Sequence, residues 1–251
     1  SLVNRIFYNT YPIIYMSMGG DYFSNLADVY LCGAKERVIE SNTRHGLLDG
    51  EKIYEFNYGL EFKPPYKDIK RSDYKINEDD FVMVTVGNRL DAEMDEEFID
   101  SITGFLLDNQ DAKWLIVGPR VISYLETKYA YLLNDKIIKI HYEDDLAALY
   151  KICDVYINPR RKGGGISIAM AMYEGLPIVV FSDNSDGAAF IGSNNCSGVT
   201  MAEYMKDLEN LKSNHEYRES KGNLMAENIN KFTMKKSVEN LFKIINEYRE
   251  T

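Results

Sequence analysis

The chain has 251 residues, 45% of them hydrophobic, so it can bury the core of one large domain or two small ones. Its 39 acidic and 29 basic residues give a net charge of −10, which would repel a phosphate backbone and argues against nucleic-acid partners. The three cysteines, Cys32, Cys153 and Cys196, lack the short paired spacings of a zinc or disulfide site, which favours a reducing, cytoplasmic location.

The first 61 residues predict a small, partial α/β segment. Two short apolar runs, Ile13–Met16 and Val29–Leu31, are typical of strands, and a helix over Glu36–Leu48 and a strand over Lys52–Tyr58 follow. These elements are too few for a complete Rossmann-like domain, so residues 1–61 are interpreted as the remnant of an amino-terminal domain. The polar, proline-bearing residues 62–75 are predicted to be a linker.

Residues 76–232 predict the main domain, in which short apolar runs alternate with amphipathic stretches. This alternation is typical of an α/β fold with a Rossmann-like, doubly wound parallel sheet and helices on both faces. The longest apolar runs are far below the roughly 20 residues of a membrane-spanning helix, so they are interpreted as buried strands. The predicted strands are Phe81–Val86, Trp114–Val117, Ile137–His141, Asp154–Asn158 and Ile178–Ser182.

Helices are predicted between these strands and along the tail. Asp91 is the expected N-cap of the first helix, and the helix after Gly165 is apolar nearly all round, which predicts a central position. Residues 233–251 are predicted to form a closing helix with one apolar stripe. The predicted helices are Glu93–Gln110, Val121–Leu133, Asp144–Ile152, the stretch from Gly165 to Gly175, and two or three helices from Ala202 onward, the last being Met234–Tyr248.

The strongest candidate for a ligand site is a glycine run between a predicted strand and the apolar helix. Glycines let backbone N–H groups approach an anion closely, and the helix that follows directs its positive dipole end to the same point. A diphosphate could be held there without a metal ion; a flexible turn beside a solvated basic patch is the alternative. The expected ligands are Arg161, Lys162, Gly163, Gly164, Gly165, Ile166 and Ser167.

A second candidate is the turn after the first strand of the main domain, where Gly87 is followed by Arg89. In a doubly wound sheet this turn faces the same crevice as the glycine run. We therefore expect Arg89 to clamp the second phosphate. A surface ion pair with Asp91 or Glu93 is the alternative.

Two further strand ends are predicted at the same edge of the sheet. Gly118 ends the second strand of the main domain, and His141 and Tyr142 end the third. Either aromatic ring could stack on a nucleotide base or bond to it. For His141, a hydrogen-bonded position at the edge of the core is the alternative.

These motifs, in this order over about Val82–Ile191, resemble the donor-binding domain of GT-B glycosyltransferases, especially the retaining enzymes that build bacterial polysaccharides and glycoconjugates. Val86–Leu90 is similar to the family's glycine-arginine-leucine turn, and Gly175–Val180 resembles the strand after its central helix. Ala112–Gly118 and Ile140–Ile157 resemble its second strand and its base-side elements.

The resemblance implies a hexosyltransferase that moves a sugar from a nucleoside diphosphate, a UDP-sugar being expected, to a glycan, lipid or protein acceptor. Arg89 and Lys162 are then the catalytic residues, because they would stabilise the charge that grows on the departing diphosphate. No metal or other cofactor is implied. Residues 1–61 correspond to an acceptor-side domain that is expected to be incomplete, and the helix of residues 233–251 returns toward it. The expected location is the cytoplasm or the inner face of its membrane.

The sequence departs from the family pattern at three positions. The family's two acidic residues fall on Lys162 and Met170, and Met94 stands where a lysine is common. A carboxylate that binds the ribose must therefore come from elsewhere. Glu174 is the expected replacement because it shares a helix face with Met170. Further candidates are Asp183 and Asp186.

Two other classes of function are alternatives to a transferase. A transferase-like protein that has lost catalysis and recognises or stabilises a partner would explain the missing carboxylates. A dehydrogenase or epimerase would need a Gly-x-Gly-x-x-Gly motif after the first strand of the main domain, where Gly87–Ala92 stands instead. The second class is therefore disfavoured.

Overall fold

The computed structural model describes residues 10–16, 27–33, 39, 53–161, 163–183 and 187–250. The chain divides into two compact units, one formed by Ser1–Glu61 with Lys231–Thr251 and the other by Phe62–Asn230. Each unit contains a parallel sheet, so the predicted α/β class is confirmed.

Two sheets organise the described residues. The strands are β1 (Ile14–Met16), β2 (Val29–Cys32), β3 (Ile53–Glu55), β4 (Phe81–Val86), β5 (Ala112–Val117), β6 (Ile137–Ile140), β7 (Val155–Ile157) and β8 (Ile178–Val179). The first three form a parallel sheet in the order β1-β2-β3. The other five form a parallel sheet in the order β6-β5-β4-β7-β8, which confirms the predicted doubly wound arrangement.

Helices connect and flank these strands. They are α1 (Leu90–Glu93), α2 (Glu96–Asp108), α3 (Ser123–Lys128), α4 (Leu146–Tyr150), α5 (Gly165–Tyr173), α6 (Ala188–Ile191), α7 (Met201–Ser213), α8 (His215–Asn230) and α9 (Met234–Glu250). Single 3-10 turns lie at Arg71–Tyr74, Ala130–Leu132 and Ser193–Asn195. Among the described segments, no helix combines the length and the apolar character needed to cross a bilayer.

The order of the five strands reverses next to β4. The chain runs outward from β4 to β5 and β6, then crosses to β7 on the other side of β4 and continues to β8. In open α/β sheets a crevice forms at such a reversal, at the carboxyl ends of the strands. Gly87 follows β4 and Asn158 follows β7, so the segments after these two strands flank one crevice.

The core of the second unit is built on its central strands. β4 and β5 are buried along almost their whole length, which is why their sequences are continuous apolar runs. Buried hydrogen bonds also cross the sheet: the indole N–H of Trp114 donates to Oγ1 of Thr85 (3.0 Å), whose hydroxyl donates to the carbonyl of Ile157 (2.9 Å). Phe98 of α2 packs edge-on against Trp114. These contacts hold β4 between β5 and β7.

The helix predicted over Glu93–Gln110 begins later than expected, and Asp91 is not its N-cap. Met94 adopts an extended backbone (φ −95°, ψ 113°) that ends α1. Asp95 then caps α2 by accepting an N–H of its first turn at 2.8 Å. Asp91 instead accepts the N–H of Ser123 at 2.6 Å, where α3 begins. The sequence offers two acidic caps close together, and the extended backbone between them decides which one is used.

The segment predicted as a linker is anchored to α4. The backbone N–H groups of Tyr66 and Lys67 donate to the Asp145 carboxylate at 2.6 and 2.7 Å. The ammonium of Lys67 also pairs with Glu143 at 2.6 Å and with Asp144. Asp145 is at the same time the N-cap of α4. Tyr66 and Lys67 are therefore fixed to the start of α4 within the second unit.

The first unit combines β1–β3 with the closing helix α9. Leu31 of β2 packs with Phe56 and with Ile244 of α9 in a small apolar core. The predicted closing helix is thus present and buries one face on this sheet. The helix predicted over Glu36–Leu48 lies outside the described residues, apart from Ile39, which is helical.

Candidate functional site

A cleft of about 460 Å³ opens at the carboxyl ends of the central strands. It lies where the strand order reverses, which is the place where open α/β sheets bind ligands. Asn88, Glu93, Glu143 and Leu146 contribute to its walls. The residues predicted from the sequence that line it are Gly87, Arg89, Gly118, Tyr142, Arg161, Gly164 and Ser167.

The glycine run forms a left-handed turn into α5. Gly163 and Gly164 have φ values of +99° and +78°, which strain any residue with a side chain, and Gly164 is the N-cap of the nine-residue helix that Gly165 begins. The first N–H groups of a helix have no partner within it, so an anion in the cleft can bind those that follow Gly164. The Ser167 hydroxyl donates to the Gly164 carbonyl at 2.8 Å and lies 3.1 Å from the Tyr156 hydroxyl. Ser167 therefore closes the turn.

Arg161 supports this turn from beneath. Its side chain is 1% exposed, and Nε donates to the amide oxygen of Asn158 at 2.9 Å. Nη1 donates to Glu93 at 3.0 Å. Nη2 donates to the carbonyl of Val86 at 2.8 Å and to the hydroxyl of Tyr156 at 3.3 Å. From the sequence Arg161 is expected to bind phosphate. In the structure its guanidinium is held inside the protein by these partners, which belong to β4, α1 and β7 with the residue that follows it.

Arg89 lies at the rim of the cleft beside the glycine turn. Its side chain is 72% exposed, and Nη2 lies 2.8 Å from Oε1 of Glu93. A Cβ atom built on Gly163 would lie 3.1 Å from the same Nη2, so the guanidinium and the turn are adjacent. The ion pair that the sequence offers as an alternative is present, together with the predicted position at the cleft. Glu93 thus joins Arg89 and Arg161, one carboxylate oxygen to each.

The loops after β5 and β6 form the other end of the cleft. Gly118 has a φ of +116°, and a Cβ there would lie 2.5 Å from the Gly87 carbonyl oxygen, so a side chain would push these loops apart. Tyr142 lines the cleft and is 76% exposed. His141 does not line it: its Nε2 accepts a hydrogen bond from Nε of Arg120 at 3.1 Å, beside a neighbouring cavity. Of the two rings predicted to meet a base, the structure brings only Tyr142 to the cleft.

Glu174, the residue expected from the sequence to bind the ribose, does not line the cleft. It is the C-cap of α5, and a nine-residue helix of ~13 Å separates it from the glycine turn. Burial raises the pKa of Glu174, while nearby Lys151 acts in the opposite direction. Glu174 does share a helix face with Met170, but it lies at the end of the helix that is remote from the cleft.

Of the remaining candidates, Lys162 and Asp186 lie outside the described residues. Asp183 pairs with Arg160 at 3.5 Å, and Ile166 exposes its side chain beside the turn. Within the described ranges, no group of three or more His, Cys, Asp or Glu side chains is arranged to hold a metal ion.

Glu93, Asn158 and Tyr156 hold the site together, although the sequence predicts no such role for them. The spacing of four residues between Arg89 and Glu93 does signal an ion pair on a helix. The contact of Glu93 with Arg161 has no local signal, because the pairing of β4 with β7 brings these distant residues together.

A parallel sheet with a reversal beside its first strand, and a glycine turn leading into a helix at that point, agree with a domain of the GT-B fold. The sequence profile of the family described as "Glycosyl transferases group 1" matches residues 66–231. The chain belongs to this family.

Solved GT-B structures share the fold at low sequence identity. The GtfA/B complex matches with a TM-score of 0.65 at 10% identity, over 98% of this chain and 55% of that chain. A UDP-forming α,α-trehalose-phosphate synthase from Burkholderia xenovorans matches with 0.70 at 12% identity, over 98% and 70%. Anabaena HepE, solved with UDP and glucose, matches with 0.64 at 15% identity, over 94% and 71%. This chain thus spans only part of their length. No curated protein sequence matches it significantly.

Proposed function

We propose that this chain forms the donor-binding part of a glycosyltransferase that uses a nucleoside-diphosphate sugar, with a UDP-sugar as first choice. The proposal rests on one observation: Arg89 and the glycine turn meet where the order of the strands reverses. Membership of the group 1 family supports the class of reaction. The HepE structure with UDP and glucose supports the class of donor.

The two phosphates bind between Arg89 and the start of α5. The N–H groups after Gly164 and the positive end of the helix dipole receive one phosphate. The guanidinium fork of Arg89 binds the other with charge-assisted hydrogen bonds. Tyr142, exposed at the opposite end of the cleft, offers its ring to the base. In this arrangement the nucleotide runs across the cleft, and the sugar lies on the far side of the glycine turn.

Transfer depends on stabilising the leaving group. When the bond to the anomeric carbon breaks, negative charge grows on the diphosphate, and fixed N–H donors that match this charge lower the barrier. Arg89, the amides after Gly164 and, as predicted from the sequence, Lys162 supply the positive charge. The proposal therefore includes no metal ion or other cofactor.

The remaining parts of the transferase are assigned by the resemblance. Residues 1–61 belong to the acceptor side, residues 62–75 join it to the donor domain of residues 76–232, and the helix of residues 233–251 returns to the acceptor side. The acceptor is a glycan, a lipid-linked sugar or a protein. The proposed location is the cytoplasm, at or near the inner face of the membrane.

A second candidate function is a transferase-like protein that binds or stabilises a partner without catalysis. One observation favours it: Met170, half-buried on α5, occupies the place where the family has an acidic residue. This candidate predicts no turnover of any sugar nucleotide with any acceptor, whether or not the nucleotide binds.

Calorimetric titration with UDP, GDP and ADP tests the proposed site. We expect one of them to bind, and Arg89→Ala to weaken that binding by about tenfold or more, because a charge-assisted fork to phosphate is lost. Arg249→Ala, which removes an exposed arginine from α9, is the control and should bind as the unaltered protein does. If no nucleoside diphosphate binds at millimolar concentration, or if both variants bind equally well, the site is assigned wrongly.

A further inference from the structure

The guanidinium of Arg161 connects the two strands between which the sheet order reverses. One acceptor, the carbonyl of Val86, ends β4. Of two others, Tyr156 belongs to β7 and Asn158 follows it. A planar guanidinium can hold several acceptors in fixed directions at once, which an ammonium group cannot. The guanidinium therefore helps to fix the spacing of the two loops that flank the crevice, together with the Tyr156 hydroxyl, which donates to the Val86 carbonyl at 3.2 Å.

Two glycines of the cleft are packed directly on this guanidinium. A Cβ atom built on Gly87 would collide with Nη1 of Arg161, and one built on Gly164 would collide with Nη2 and Cζ. Gly164 also needs its left-handed backbone, but Gly87 is not among the glycines with positive φ. The absence of a side chain at Gly87 is thus explained by the close approach of the guanidinium.

Glu93 extends the influence of Arg161 to the rim of the cleft. One oxygen of its carboxylate binds Arg161, which is buried, and the other binds Arg89, which is exposed. The Glu93 side chain is itself only 14% exposed. Because the buried Arg161 holds one carboxylate oxygen of Glu93, the other oxygen is a fixed acceptor that orients Arg89 beside Gly163.

We propose that Arg161 is a positioning residue for the donor phosphates. It holds the turn of Gly164 in place and, through Glu93, aims Arg89 at the same anion, without contacting that anion itself. This inference rests on the proposed function and adds to it a residue for which the family resemblance gives no such role. It also replaces the sequence-based expectation that Arg161 binds phosphate directly.

The affinities of UDP and of uridine, measured on the whole chain, separate positioning from general support of the fold. Arg161→Met should weaken UDP binding by about tenfold or more and change uridine binding by less than about twofold, because the base end of the cleft lies apart from the guanidinium. Arg161→Lys keeps the charge and should still weaken UDP binding by about fivefold or more, since an ammonium cannot hold all of these acceptors.

Lys221→Met is the matched control. Lys221 is 8% exposed and pairs with Asp207 beside a separate cavity between α7 and α8. Its loss should lower the melting temperature and leave both affinities unchanged.

Three results would overturn the positioning role. They are an unchanged UDP affinity in Arg161→Met, an equal loss of UDP and uridine in that variant, and full UDP affinity in Arg161→Lys. The last result can be obtained even if Arg161→Met does not fold. If the unaltered protein binds no UDP or other nucleoside diphosphate, the proposed function fails first, and the two failures are thereby distinguished.

Discussion

Gly87 and Arg161 are packed so closely that the guanidinium occupies the space of any side chain at position 87. Gly87→Ala should therefore lower the free energy of unfolding by ~1–3 kcal/mol, as overpacking does elsewhere. In an Arg161→Met background the same change should cost less by at least ~0.5 kcal/mol, because the obstructing group is gone. Urea denaturation of the four proteins of this double-mutant cycle measures the coupling. Strictly additive costs would show that the two residues do not restrict each other.

Gly164→Ala should damage both stability and nucleotide binding. The residue has a φ of +78° and lies against Arg161, so an alanine is strained in its backbone and in its packing, at a cost of roughly 1–3 kcal/mol. UDP affinity, measured by calorimetry, should fall by about tenfold as the amides of the turn move.

Gly104→Ala is the control for this change. Gly104 lies inside α2, and a Cβ there would meet nothing within 4 Å. Since alanine is the better helix former, this variant should gain about 0.5–1 kcal/mol and bind UDP normally. If Gly164→Ala and Gly104→Ala had equal stability and equal UDP affinity, the glycine turn would have no special role in folding or binding.

The strands and the cleft edge could be predicted because their signals are local. β4 and β5 are covered on both faces, so their sequences are apolar without interruption, and parallel strands bring their carboxyl ends to one edge. The glycine turn was visible as a break between a strand and an apolar helix. The direction of Arg161 had no such signal, because Val86 and Glu93, which hold it, reach it only through the pairing of β4 with β7.

The helix boundary at Met94 and the position of Glu174 relative to the cleft could not be predicted, for a different physical reason. The extended backbone of Met94 splits one predicted helix into α1 and α2, and nothing in the apolar spacing marks this break. Helical periodicity places Glu174 on the face of Met170, yet periodicity carries no information on which end of the helix meets the ligand.

The buried hydrogen bond between Trp114 and Thr85 should contribute measurably to the stability of the second unit. Thr85→Val removes the acceptor of the indole N–H and leaves it buried and unpaired, which costs about 1–3 kcal/mol. Trp114 is the single tryptophan of the chain, so its fluorescence follows urea unfolding directly. Thr127→Val, on the exposed surface of α3, is the control and should change stability by less than about 0.5 kcal/mol. Equal stability of both variants would contradict a contribution of this buried hydrogen bond to stability.

The pKa of the Asp144 carboxyl group should lie below its usual range, because Asp144 pairs with Lys67. A hydrogen bond from Lys67 lowers the pKa of Asp144 to about 2. Since the folded pKa is depressed, the pair stabilises the fold fully above the unfolded carboxyl pKa of ~3.9 and loses this contribution as the pH falls through about 2.

Carbon NMR of the Asp144 carboxyl group measures this pKa. Lys67→Met should raise it toward its usual value of ~3.9, because the partner that stabilises the ionised form is removed. Lys70→Met, which affects only the exposed pair of Lys70 with Asp68, should leave it low. A normal pKa of Asp144 in the unaltered protein would contradict its pairing with Lys67.

The most direct test of the central claim is a crystal structure of the chain with UDP bound. We expect phosphate oxygens within ~3 Å of the N–H groups that follow Gly164 and of the Arg89 guanidinium, with Arg161 still buried beneath the turn. Nucleotide found in the cavity of about 560 Å³ beside α7 and α8, or phosphates that touch neither the turn nor Arg89, would contradict the claim.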